Sequence, residues 1–256
     1  MLRTLFASLK LVALLLVSAP MMPAQALILL FTRGEKSQLL PKFWHRCVCK
    51  ILALRVQLAG EIHTEQRCAY VGNHVSHFDI FVLGSILRAV FIAKGEMQHW
   101  PVAGWIAGLQ QTLFISRNPK DASRVLEQLA NVMRRGGRMI LFPEGTTSSG
   151  LTVAPFKSSL FSMLVTNSEY QWTVQPFTLE LRAVNGKPPH RPTDRDIYAF
   201  YGSMPMAQHF WSFLKSRGAQ LTVHFHPVIE PKQDLDRKAL AALSHKSVAS
   251  GLPTVV

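Results

Sequence analysis

The stretch Asn73-His74-Val75-Ser76-His77-Phe78-Asp79 sets an imidazole five residues before a carboxylate, and 63 residues beyond Asp79 comes Phe142-Pro143-Glu144-Gly145-Thr146-Thr147. A neutral histidine, with an ordinary pKa of ~6.5, is a natural base for taking a proton from a hydroxyl. A carboxylate beside it fixes the tautomer and leaves the other ring nitrogen for the substrate. His74 and Asp79 are therefore the candidate catalytic pair. Ser76-x-x-Asp79 also has the form of a helix capping box, so spacing alone leaves Asp79 open between cap and orienter. A metal set of His74, His77 and Asp79 is disfavoured, because helical periodicity does not bring all three together. There is no Gly-x-Ser-x-Gly nucleophile elbow. Direct attack by a substrate hydroxyl is simpler than a covalent intermediate on the protein.

The second stretch offers a different chemistry. Pro143 marks a strand end, and the N–H groups of Gly145, Thr146 and Thr147 are expected to form a small anion-binding nest. Glu144 either holds a substrate hydroxyl or braces the loop. Lys157 follows at the start of an expected helix. Lys94 and Arg117 each close an expected strand, and an arginine there can grip a phosphate bidentately. The substrate-binding candidates are thus Lys94, Arg117, Glu144, Gly145, Thr146 and Lys157, with no metal ligands.

These residues need elements to hold them. Apolar runs predict strands over 69–72, 89–93, 112–116, 139–142, 172–181, 197–201 and 221–225. Helical spacing predicts helices over 44–58, from Ser76 onward, from 119 to 135, over 157–164 and over 237–249. Gly136-Gly137 stops the third of these. Strands and helices alternate at first, then helices thin out, which favours a mixed α/β sheet flanked by helices. Two parts are expected: a membrane-associated segment over 1–40 and an α/β domain over 41–256.

Composition narrows the partners. Lys and Arg total 28 against 15 acidic residues, a net charge of +13. Seven of these cations (Arg3, Lys10, Arg33, Lys36, Lys42, Arg46 and Lys50) bracket a charge-free run of 22 residues, 11–32, against Glu35 alone. Such a pattern suits an acidic membrane face, and no nucleic-acid motif competes with it. Pro20 and Pro23 divide the run, leaving a straight span, a re-entrant pair and a buried hairpin all open. The apolar run resumes after Ala24-Gln25-Ala26, against a cleaved signal peptide. Cys47, Cys49 and Cys68 have no evident partners and fit a reducing compartment. An uncleaved anchor on the inner membrane, with the catalytic part on the cytoplasmic side, is the expectation.

Together the blocks resemble the glycerolipid acyltransferase family, of the bacterial 1-acyl-sn-glycerol-3-phosphate acyltransferase type, over roughly residues 40–205. Asn73-His74-x4-Asp79 matches its first block, 108–117 ending in Arg117 resembles its second, Phe142-Pro143-Glu144-Gly145-Thr146 matches its third, and Val174-Gln175-Pro176-Phe177 resembles its fourth. The resemblance implies that His74 is the general base and Asp79 its partner. It implies that Arg117 meets the acceptor head group and that the fourth block meets the acyl donor. The donor is then acyl-CoA or acyl carrier protein, the acceptor a lysolipid, no cofactor is required, and an N-terminal helical piece rests in one leaflet. Thr147 stands where the family often has Arg, and Ser159 where it often has Gly. These departures resemble the subgroup that acylates lyso-ornithine lipid. Lysophosphatidate is the first expectation and lyso-ornithine lipid the alternative. A non-catalytic lipid-binding protein and a hydrolase using the same pair on water are the readings from other classes.

Overall fold

The computed structural model of the chain describes residues 1–115, 122–165, 172–230 and 235–253. Seven strands form one mixed sheet in the order β1-β7-β6-β2-β5-β3-β4. They are β1 Leu54–Ala59, β2 Cys68–Gly72, β3 Val90–Lys94, β4 Leu113–Ile115, β5 Met139–Leu141, β6 Thr173–Val184 and β7 Ala219–Phe225. Only β6 and β7 pair antiparallel. The others run parallel, so the carboxyl ends of β2, β3, β4 and β5 share one edge. Side chains alternate across β2: Tyr70 joins the core on one face, while Ala69 and Val71 join the core on the other.

Helices cover both faces. α1 Leu2–Phe31, α2 Leu39–Leu52 and α3 Asp79–Ile86 lie over the Tyr70 side. α4 Ala103–Leu109 precedes β4, and α5 Ala122–Arg134 follows it. The shorter α6 Ser162–Val165 and α7 Pro192–Arg195 flank β6, α8 Met206–Leu214 precedes β7, and α9 Arg237–Ser250 comes last.

Three expectations change. The helix predicted over 44–58 ends at Leu52; Ala53 turns left-handed (φ 56°) and Leu54–Ala59 becomes the edge strand β1. Leu54 is buried and Val56 half-buried while Arg55 and Gln57 face out, a two-residue period masked by the helical spacing before it. Residues 197–201 form a turn and coil instead of a strand. The helix over 157–164 is a 3-10 turn, Ser158–Phe161, running into α6.

The N-terminal run is one helix of 30 residues, ~45 Å long, in spite of its prolines. Pro20 and Pro23 stand on its exposed side, where a bent helix tolerates them. Both halves are tied to the α/β domain. Lys10 donates to the Ser216 carbonyl, Ser18 accepts from the Trp44 indole, and Gln25 donates to the carbonyls of Ser37 and Leu109. The segment before residue 40 is thus hydrogen-bonded to the domain that follows it. The opposite face shows Leu5, Phe6, Leu9, Val12, Leu15, Leu16, Leu27, Leu30 and Phe31 to the outside.

Candidate active site

The parallel strands deliver His74 and the Phe142–Thr147 loop to the same edge of the sheet. Gly72 ends β2 because a side chain there would run into the Phe177 ring. Asn73 then mimics a peptide: its amide donates to the Leu179 carbonyl (3.0 Å) and accepts from the Leu179 N–H (2.7 Å). This holds the buried chain one residue past the strand and projects His74 beyond it.

The His74 ring lies flat on Phe142, centroids 3.9 Å apart and planes at 10°. Its Nδ1 is 2.8 Å from Asp79 Oδ2. A carboxylate only accepts, so Nδ1 carries the proton and Nε2 keeps its lone pair. The His74 side chain remains 18% exposed, and Nε2 has no partner among the described residues. Asp79 is fully buried. Its Oδ2 also accepts from the N–H groups of Val75 (2.7 Å) and Ser76 (3.0 Å), and its Oδ1 accepts from the Tyr198 hydroxyl (2.7 Å). Asp79 is the first residue of α3, so one carboxylate both gathers the turn before the helix and orients His74. α3 has Phe78 at its N-cap with no side-chain cap bond, so the capping box expected at Ser76 is not formed, and of the two roles left open by spacing the structure shows the orienter.

Tyr198 escaped sequence reasoning. It lies 119 residues from Asp79 in a stretch predicted as strand, and the turn after α7 buries it beneath the pair. Burial pushes its phenol well above the ordinary value, and the Asp79 carboxylate adds to the shift, so it stays a donor.

Glu144 is buried and committed to the backbone. Oε1 accepts from His74 N–H (2.7 Å) and Oε2 from Ala154 N–H (2.9 Å). Burial raises its carboxyl above the ordinary range, partly offset by those two bonds. Of the two roles open in the sequence, the structure shows the brace. Ser148 N–H reinforces it by donating to the His74 carbonyl (2.9 Å). Gly145 turns with φ 70°, and its N–H donates to the Phe142 carbonyl, which removes it from the expected nest. The N–H groups of Thr146 and Thr147 have no acceptor among the described residues. The Lys157 amine packs on Gly145. Lys94 is exposed at the end of β3. Arg117 lies outside the described residues. His77 turns away from His74 into Phe78, Phe200, His209 and Phe210, where burial lowers its pKa to about 3.

An imidazole with its neutral tautomer fixed and one nitrogen open, at the same sheet edge as two free N–H groups, has the chemistry for proton removal beside developing negative charge. The profile of the family described as Acyltransferase matches residues 53–180, which contain the His74–Asp79 pair, its Glu144 brace and Lys157. The chain belongs to the acyltransferase family. It is 32% identical to the lyso-ornithine lipid O-acyltransferase of Rhizobium meliloti, over 90% of this chain and 80% of that one. It is 30% identical to the 1-acyl-sn-glycerol-3-phosphate acyltransferase of Neisseria gonorrhoeae, over 69% and 66%. The crystal structure of the 1-acyl-sn-glycerophosphate acyltransferase PlsC from Thermotoga maritima superposes with a TM-score of 0.66 over 98% of this chain and 93% of that one, at 20% identity, and shares the fold.

Proposed function

We propose that this acyltransferase moves a fatty acyl group from a thioester to the free hydroxyl of lyso-ornithine lipid. The carrying observation is the His74–Asp79 pair with Nε2 open at the carboxyl edge of the sheet. His74 Nε2 takes the acceptor hydroxyl proton as that oxygen attacks the thioester carbonyl carbon. The Thr146 and Thr147 N–H groups stabilise the tetrahedral oxyanion. The carbon–sulfur bond then breaks, and the thiolate of coenzyme A or acyl carrier protein leaves with the proton from His74. The products are an ester and a free thiol, with no metal or redox cofactor in the balance.

The choice of acceptor rests on two supports. The lyso-ornithine relative aligns over more of the chain than the phosphate-specific one. Thr147 also leaves the FPEGT loop without an added cation. Lysophosphatidate is the second reading, favoured by the exposed Lys94 and by Lys157 beside Gly145. The docking of both halves of α1 onto the domain supports a helix lying along one leaflet, its apolar face in lipid. A thioester donor and three free cysteines fit the cytoplasmic side of the inner membrane.

The test offers both lysolipids to the purified enzyme with one acyl-CoA, and then with the same acyl group on carrier protein. A higher kcat/KM on lyso-ornithine lipid is expected, with Thr147→Arg shifting the ratio toward lysophosphatidate. A wild-type preference for lysophosphatidate would reverse the assignment. Thiol release at full rate without any acceptor would replace transfer by hydrolysis.

A further inference from the structure

The connection between β3 and β4 has a feature that acid–base chemistry does not use. Its tip, Trp100-Pro101-Val102, precedes α4, and three apolar side chains stand outward: Trp100 at 41% exposure, Val102 at 69% and Trp105 at 57%. Neither indole N–H has a partner among the described residues. Val102 has φ 62° and ψ −56°, and the Ala103 N–H closes onto the Pro101 carbonyl at 2.6 Å. That is a γ-turn of the strained hand, with a β-branched residue at its centre. Here the strain presents an apolar side chain outward instead of burying it. Strain of this kind persists where the surrounding structure enforces it, and it calls for a functional account.

The other end of α4 is fixed. The Leu109 carbonyl accepts from Gln25 of α1, and the Gln110 carbonyl accepts from Gln38. The tip therefore stands ~10 Å along a short helix from a rigid anchor on α1 and α2. Around that anchor the exposed surface continues as Leu27, Leu30 and Phe31 of α1 and Leu39 and Phe43 of α2. Exposed cations border it: Arg33, Lys36, Arg46 and Lys50. Of the acids nearby, Glu35 is taken up by Arg88 and Arg138, and exposed Glu96, on the turn before Trp100, stands two residues from exposed Lys94. Tryptophans with free N–H groups suit the headgroup boundary, and the cations suit anionic lipid.

We propose that the Trp100–Trp105 segment is a second membrane-inserting element, separate from α1, whose partner is the anionic surface of a bilayer. It lies between the strands that end at Lys94 and Ile115, on the side that carries the candidate site. Its insertion tips the site's edge toward the lipid, a consequence that rests on the acyltransferase reading of the site.

The test uses the full chain with vesicles of phosphatidylcholine and phosphatidylglycerol at 7:3 carrying brominated acyl chains, which quench tryptophan on contact. Quenching of the wild type is expected to fall by more than half in Trp100→Phe/Trp105→Phe, since of the other three tryptophans Trp44 and Trp172 are buried and Trp211 is half-buried beneath the Lys215 amine. Val102→Asp is expected to lower vesicle partitioning by roughly tenfold or more, the worth of about three apolar carbons and an added charge. Its turnover on a short-chain lysolipid dissolved below its micellar concentration should match wild type. Undiminished quenching in the double Phe variant overturns the proposal, as does unchanged partitioning of a folded Val102→Asp protein. Should Val102→Asp fail to fold, the conservative Phe pair decides alone. Failure of the acyl-transfer reading would appear instead as a wild type inactive on the dissolved acceptor, with quenching and partitioning intact.

Discussion

Tyr198→Phe removes one oxygen and tests whether the buried phenol governs the chemistry. That hydroxyl is the sole donor to Asp79 Oδ1 among the described residues, at 2.7 Å, and neither residue is exposed. Phe keeps the ring, so the packing against Phe78 and Phe213 survives. What is lost is a hydrogen bond to a charged acceptor, worth about 1.5–3 kcal/mol where the partner is left buried and unsatisfied. Asp79 keeps its three bonds through Oδ2. The carboxylate thus stays in place but loses the contact that stops it rotating about them. If the lost energy is felt in the orientation of His74, kcat falls by about tenfold to a hundredfold. KM for acceptor and donor should hold, because Tyr198 is buried away from both. The assay is steady-state acyl transfer in mixed micelles, beside thermal melting of the same preparation. A fall in melting temperature with unchanged kcat would refute the reasoning and leave Tyr198 a packing residue.

His74→Ala should lower acyl transfer by ~10²–10⁴-fold while circular dichroism stays that of the wild type. Asp79→Asn should lower both turnover and melting temperature, because the amide keeps only one of the two acceptor oxygens that now receive four donors and sets an N–H₂ donor in place of the other; turnover lost with no loss of stability would count against the gathering role. Stability should decline on acidification from about pH 6.5 downward. The buried His45 and His77 rings have folded pKa values of about 3, so the unfolded chain takes up protons that the folded one refuses. Each such ring adds up to ~1.4 kcal/mol per pH unit to the slope, its stabilisation intact above ~6.5 and lost as pH falls toward 3. Between pH 7, 6 and 5 the melting temperature of the wild type should fall more steeply than that of His77→Phe; parallel curves would exclude His77 as a source.

The parts of this molecule legible in sequence were those whose physics is local. Apolar triplets at 69–71 and 139–141 announced β2 and β5, and the polar residues after each announced strand-end chemistry. Asp79 was ambiguous because the same spacing suits a cap and an orienter; in the folded turn the oxygen that meets His74 also takes the Val75 and Ser76 N–H groups, while α3 starts without a side-chain cap. Tyr198 was invisible because its role depends on a contact across 119 residues. β1 was hidden by the helix running into it; a left-handed alanine at 53 carries no sequence mark of the kind a glycine would. α8 did leave a signal, Pro205 followed by Phe210, Phe213 and Leu214 at helical spacing, and it went unread. The prolines of α1 left a straight helix, a re-entrant pair and a hairpin open, because the bonds of Lys10, Ser18 and Gln25 that dock the continuous helix reach partners distant in sequence.

The commitment of Glu144 moves the question of specificity. Glu144 is 3% exposed and turns both oxygens to backbone N–H groups, so it presents little of its carboxylate to an acceptor. Its work is to fix the distance between the loop after β2 and the loop after β5, and so the position of His74 relative to the N–H groups of Thr146 and Thr147. In the proposed acyl transfer, recognition of the head group is then assigned to side chains outside this brace: Thr147, the Lys157 amine against Gly145, and Lys94 at the end of β3. In the proposed reaction, chemistry and selectivity are thereby carried by different groups along one edge of the sheet. A change at 147 alters what the acceptor meets, while the Glu144 brace that places His74 stays as it is.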